Sequence, residues 1–467
     1  VTAGVPAIRP PARATGAAHA ARPQRMRHLD ELLGLLYPAP CTTRQRSSAT
    51  VRDPVAEYLV VPSARRPRLL VPAHDRRLAA EAVRRWQPRS RLARLGRDAL
   101  LAALRTGVSA LLFRDRIRVT GAVGAPLDTI ERYLAEALTA ELRLSLHLDT
   151  GPLGTGPLGT GPLGTGPLGT GPLGTGPRGA GRPGAGRRGA GHLGGMPVLQ
   201  LLSPEGETLG FAKLGTTAVT RTRVRDEANA LVALGLAGLT QVTVPTVRHT
   251  GVWREHVVAV QSALPTWRPR VPLSATRLGR AMYEVAVCCG TRRGPFAESG
   301  YATRLRAHLD AVQEHPAGLH LAGAAARISA AAGAVPLEYG AWHGSWTPWS
   351  MACLDDTLLV WDWERFTPGV PLGFDALHHD LQRRLAAGDV YAAVDGTLDA
   401  APVLLRAFGV TDADEIRLTG LLYLVELATR DLDAGSTPGG GTTGSGARPG
   451  APGGWLLPAL LDRVAAL

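Results

Sequence analysis

The chain all but lacks lysine: Lys213 is the single one, and the rest of its 52 basic residues are Arg. Cysteine is scarce too. Cys41, Cys288, Cys289 and Cys353 are the only four, and none stands in CxxC spacing, which excludes a disulfide framework or a zinc finger. A reducing, cytoplasmic setting is the expectation. No apolar run reaches 18 residues, because Arg327 and Glu338 interrupt the Ala-rich stretch around 321–337, so no transmembrane helix is expected. Residues 1–28 have no apolar core of a signal peptide and read as a disordered N-terminus, with Met26 a candidate internal start. Acidic residues are short only in the front half: residues 1–150 carry 25 Arg against 13 Asp and Glu, and so most of the net +13. A basic surface can seek nucleic acid or an anionic membrane. Here the Arg fall on helical stretches such as 76–97 without interleaved aromatics, so solvated helix faces account for them at less cost.

What is present divides the 467 residues into several parts. Residues 29–140 read as a small α/β module. It has a helix at Leu29–Leu36, a hairpin from Glu57–Ser63 and Arg68–Ala73, helical periodicity over 75–86 and 90–112, a strand at Arg116–Thr120 and a helix capped near Asp128. Glu141–Leu148 alternates as a half-buried strand. Then nine five-residue units fill 151–195, beginning with five copies of GPLGT. Gly recurs at alternating intervals of three and two, which rules out a collagen triple helix. A flexible loop of root-mean-square span roughly 35–40 Å is expected, and lengthening a short loop to this size should cost only about 1.5 kcal/mol. Strands resume at Pro197–Leu202 and Leu209–Leu214. Lys213 sits on the second, and Glu227 lies on the apolar stripe of the helix Val219–Leu234 that follows. A carboxylate on an apolar face needs a cationic partner, for which Lys213 is the candidate.

The rest of the chain is organised around 341–364, AWHGSWTPWSMACLDDTLLVWDWE. The polar and aromatic stretch from His343 to Ser350 contains Gly and Pro and cannot be helix interior. Met351–Leu354 and Thr357–Trp361, split by Asp355-Asp356, read as a hairpin with a two-residue turn. That register sets Met351 opposite Val360 and Trp349 opposite Asp362. Asp362 is either a turn cap or a metal ligand at the mouth of a buried strand. Trp342, Trp346, Trp349, Trp361 and Trp363 either pack as core or stack a ligand.

His343-Gly344, Thr347-Pro348-Trp349 and Asp362-Trp363-Glu364 resemble the catalytic loop and metal strand of the aminoglycoside phosphotransferase and choline kinase family, over roughly 141–433 without the repeat tract. The resemblance implies an α+β, two-lobed protein-kinase-like fold with an N-terminal α/β extension and a disordered Gly/Pro-rich insertion. An N-lobe would span 141–267 and a helical C-lobe 268–433, followed by a linker at 434–454 and a last helix at 455–467. It implies ATP and Mg2+ as cofactors, with Lys213 and Glu227 on the nucleotide phosphates and Asp362 on the metal. Val252–Ser262 would be the fifth strand, after Thr243–Thr250, and residues near 261–264 the adenine hinge. Asp375 would anchor the catalytic loop, and His378-His379 reads as helix packing. Two positions depart from the family: Ser345 stands where relatives carry the catalytic Asp, and Ser350 where they carry the metal-binding Asn. A serine does not accept a proton as a carboxylate does, a loss of typically ~10²–10⁴ in rate. The expectation is therefore a degenerate, pseudokinase-like nucleotide-binding protein with a regulatory or binding role toward a small molecule or protein. An active ATP-dependent small-molecule phosphotransferase is the alternative, and a basic nucleic-acid-associated protein the remote one.

Overall fold

The computed structural model describes residues 29–45, 54–61, 63, 67–85, 91–107, 115–122, 127–148, 196–386, 389–436 and 452–465. The expectations for 1–28, for the pentapeptide tract and for most of the 434–454 linker lie outside them. The content is mixed α and β, in two compact units. Residues 195–225 and 245–267 join the front of the chain in the first unit; 226–244 and the chain from 268 onward belong to the second.

The first unit is built on one nine-stranded sheet in which every adjacent pair is antiparallel. Across the sheet the order is Thr42–Gln45, Arg116–Thr120, Ala56–Val61, Leu69–Pro72, Arg143–His147, Val198–Leu202, Thr208–Gly215, His256–Gln261 and Val247–Trp253. The boundary drawn at 140 from sequence thus falls inside a continuous sheet. Leu69 pairs with His147 and Leu70 with Leu146, joining the front module to the strands beyond it. The helices Arg76–Arg85 and Arg91–Thr106 cover one face, where Leu78, Val83, Leu100 and Leu104 pack with Leu59, Val71 and Leu202 in one core. That face explains the helical period of the Arg-rich stretch: its apolar stripe is buried against β-branched and leucine side chains.

The helix Ile130–Leu138 is capped next to Asp128, by Thr129, whose hydroxyl accepts from the Arg132 N–H. Asp128 accepts from the Trp253 indole at 2.9 Å and from Arg254 Nε at 2.8 Å. The two strands expected over 243–262 meet in a turn at Arg254-Glu255, with Trp253 opposite His256 and Arg254 at φ 56. Gly251 is inside its strand because Tyr133 and His249 crowd the place a Cβ would take.

The second unit is mainly helical. It holds the helices Ala275–Val287, Gly300–Ala311, Pro316–Ala332, Phe374–Leu385, Val390–Leu405, Ala413–Ser436 and Pro452–Ala465. The last two run into the expected linker from either side. Arg292–Pro295, Pro336–Trp342 and Thr367–Pro371 form one antiparallel sheet. Met351–Cys353 and Leu358–Val360 form the expected hairpin, with Met351 opposite Val360, and Val242–Thr243 pairs parallel to its second strand. The Leu354 N–H donates to the Thr357 carbonyl at 2.9 Å, closing the turn over Asp355-Asp356. Among the described residues no helix is long and apolar enough to cross a membrane.

Candidate functional site

The strand Pro336–Trp342 delivers the chain into the loop 343–350, and the loop feeds the hairpin that ends at Asp362. Asp375, in the first turn of Phe374–Leu385, fixes the start of the loop. Its carboxylate accepts from the His343 N–H at 2.7 Å and from the Gly344 N–H at 3.2 Å. Burial pushes this carboxyl up to about 7, against the opposing pull of those two N–H groups and of Arg430. This is the anchoring contact that the family resemblance implied for Asp375.

Gly344 must be glycine. It has φ +77, and a Cβ there would stand 2.5 Å from the Arg365 carbonyl oxygen. The Gly344 carbonyl accepts from Arg430 Nη1 at 3.0 Å. Arg430 is held further by Glu426, at 3.0 Å, and by the face of Trp342, with the guanidinium carbon 4.1 Å from the ring centroid. Both ring nitrogens of His343 are engaged. Nδ1 accepts from the Ser345 N–H at 3.1 Å, so Nε2 carries the proton and donates to the Trp361 carbonyl at 3.1 Å. The imidazole thereby ties the loop to the residue before Asp362.

Ser345 is 3% exposed and Ser350 2%. The Ser350 hydroxyl accepts from the Thr347 N–H at 2.9 Å and from the Thr347 hydroxyl at 3.1 Å. It faces the Ser345 and Thr347 carbonyls at 3.2 and 3.1 Å as acceptors for its own proton. A hydroxyl has two lone pairs and one proton, so Ser350 is saturated inside the loop. The metal-ligand position assigned to it from sequence is a loop staple here. The Ser350 carbonyl accepts from the Trp361 N–H at 3.1 Å, holding Asp362 one residue away. Asp362 is 8% exposed and has φ 70, in the left-handed region that Asp tolerates better than most residues. Ser345, Ser350 and Asp362 are therefore brought together. For magnesium this set offers one carboxylate, and the Ser350 hydroxyl has no lone pair to spare. Among the described residues no group of three or more His, Cys, Asp or Glu is arranged to hold a metal ion.

Solved structures similar to this chain include an aminoglycoside phosphotransferase and a glucosamine kinase. The apo form of a thermostable mutant of an aminoglycoside phosphotransferase shares 12% identity over 58% of this chain and 91% of that one, with a TM-score of 0.40. A glucosamine kinase in complex with glucosamine, ADP and inorganic phosphate shares 17% identity over 50% of this chain and 69% of that one, with a TM-score of 0.29. A second crystal form of glucosamine kinase gives 18% identity and a TM-score of 0.28, over 50% and 72% of the two chains. At these values the likeness assigns no chemistry. No family model and no curated protein matches the chain.

The remaining site residues fall on separate units. Lys213, in the first, is 4% exposed in the middle of the sheet, opposite Val198 on one side and Ala259 on the other. Glu227, in the second, is 3% exposed on a helix whose buried stripe also holds Val224, Ala228, Leu231 and Leu234, as its spacing implied. Three of the five tryptophans, Trp342, Trp346 and Trp363, are fully buried, which favours core packing for them. Trp363 lies 4.3 Å from His343, centroid to centroid. His378 packs edge-on to Trp342 and bonds the Tyr423 hydroxyl at 3.1 Å; burial holds its pKa well below the ordinary value. Sequence reasoning missed Arg430 and its neighbour Asp431, whose carboxyl is pushed up to about 7 by burial. The available signal was an Arg four residues after Glu426 in the otherwise apolar run LLYLVELATR.

Proposed function

We propose that the protein is a degenerate member of the kinase-like phosphotransferases that binds a nucleotide and serves a binding or regulatory role, with little or no phosphoryl transfer. The observation that carries this reading is the loop 343–350. It keeps the anchoring of a catalytic loop, through Asp375, His343 and Arg430, while its two chemistry-bearing positions hold Ser345 and a saturated Ser350. In this reading ATP is the nucleotide, and Lys213 contacts phosphate as a compact ammonium. Glu227 is the second nucleotide-binding residue of this reading, and Asp362 supplies the one carboxylate that Mg2+ would meet. No transfer step is routed through the metal. The substrate or partner is a small molecule or a protein, not nucleic acid, and the compartment is the cytoplasm.

ADP release tests the reading. Wild type should be no faster than Asp362→Ala, and Ser345→Asp should raise hydrolysis by restoring a carboxylate beside the anchored loop. Ser345→Asp with Ser350→Asn should do more if the larger amide is tolerated, since base and metal ligand act as a unit. A wild type clearly faster than Asp362→Ala would instead favour an active phosphotransferase.

A further inference from the structure

Two residues outside this site sit side by side where the helix Ala275–Val287 ends. Cys288 is its C-cap, with its N–H directed back to the Val285 carbonyl, and Cys289 follows it out of the helix. Their Sγ atoms are 3.7 Å apart. Cys288 is half-buried and Cys289 exposed, so a small reagent can reach the pair. A disulfide requires about 2.0 Å, which leaves under about 2 Å for the sulfurs to close. The next residue, Gly290, has φ +81 and no atom within 4 Å of where a Cβ would be, so the turn has room to readjust.

We propose that Cys288 and Cys289 form an oxidisable vicinal thiol pair that a peroxide closes to a disulfide between neighbouring residues. Burial, then the adjacent Cys289 thiol and Glu284, push Cys288 up to about 12, which leaves the exposed Cys289 as the attacking sulfur. The Cys289 thiolate attacks a peroxide oxygen and the O–O bond breaks. Cys289 becomes a sulfenic acid, and the departing hydroxide takes up a proton to leave as water. The Cys288 sulfur then displaces hydroxide from Cys289, the S–S bond forms, and the Cys288 proton leaves with that hydroxide as a second water. Two thiols have given two electrons to one peroxide. The pair lies close to the chain leading into the loop: a Cβ on Gly340 would run into the Ala286 carbonyl oxygen, two residues before Cys288. Redrawing the last helical turn therefore bears on the strand that ends at Trp342.

The experiment treats the native full chain with equimolar hydrogen peroxide, alkylates it with iodoacetamide in denaturant and digests it with trypsin. The peptide 281–292 carries both sulfurs. The expected product is that peptide two hydrogens lighter and unalkylated, with both alkylation sites restored by dithiothreitol. Cys288→Ser and Cys289→Ser should each abolish it. The same treatment of the guanidinium-unfolded wild type should close the pair more slowly, because the fold no longer holds the sulfurs together. Recovery of both residues alkylated, of Cys289 as sulfinic acid beside an alkylated Cys288, or of equal closure rates in folded and unfolded chain would overturn the proposal.

Discussion

Removing the Asp375 carboxylate should unfasten the loop, and the structure sets the size of the effect. Asp375→Ala leaves the His343 and Gly344 N–H groups without their acceptor in a place where His343 is 0% exposed. A buried donor stripped of its partner costs about 1–3 kcal/mol, so two put the loss near 2–6 kcal/mol while the carboxyl is protonated in both the folded and the unfolded chain. The titration works in the other direction. The folded pKa, about 7, lies above the ordinary 3.8. Between those values the folded state holds a proton that the unfolded chain releases. Stability from this group is thus fully present below pH 3.8 and is lost as pH rises through 7, at roughly 1.4 kcal/mol per pH unit. From pH 5.5 to 7.5 the wild type should lose about 2 kcal/mol by this route, a loss the variant cannot share. The destabilisation by Asp375→Ala should therefore shrink by about that amount over the same interval. Urea unfolding, followed by the fluorescence of the buried Trp342, Trp346 and Trp363, measures both quantities. A cost under about 1 kcal/mol near pH 4, or one that grows with pH, would refute the reasoning.

Arg430→Ala should cost about 2–3 kcal/mol, because it removes the bond to the Gly344 carbonyl and the cation stacked on Trp342 together; Arg430→Lys, which loses the planar fork, should recover only part of it in the same urea assay. Replacing 151–195 with Gly-Asn should leave the protein folded, with a stability change of no more than about 2 kcal/mol. The flanking strands already pair, His147 opposite Val198, so the ends to be joined are close; loss of soluble protein on this replacement would show that the tract does more than connect.

The hairpin at 351–360 was legible because its information is local: two apolar runs split by Asp355-Asp356 fix turn and register at once. The strand bounds at 250 and 252 missed that Gly251 lies inside a strand, where Tyr133 and His249 occupy the place a Cβ would take. The pairing of Leu69 and Leu70 with the strand Arg143–His147 joins segments some 75 residues apart, with no turn signal between them, so the sheet's continuity across residue 140 could not be read. Within the loop, the residue types gave the motif but not its saturation. That Ser350 spends its hydroxyl on Thr347 and the Ser345 carbonyl depends on backbone directions that a sequence does not carry. Arg430 lay 86 residues from the carbonyl it holds, on a helix without a motif.

The most direct test is a thermal-shift titration with ATP, with and without magnesium, on wild type, Lys213→Ala and Asp362→Ala. A ligand that binds the folded chain raises its melting temperature by mass action. Wild type should show a small shift at millimolar ATP, abolished by Lys213→Ala. Magnesium should add little, since only Asp362 would meet it, and Asp362→Ala should remove whatever it adds. A wild type that does not shift at all would contradict nucleotide binding and with it the degenerate-kinase reading.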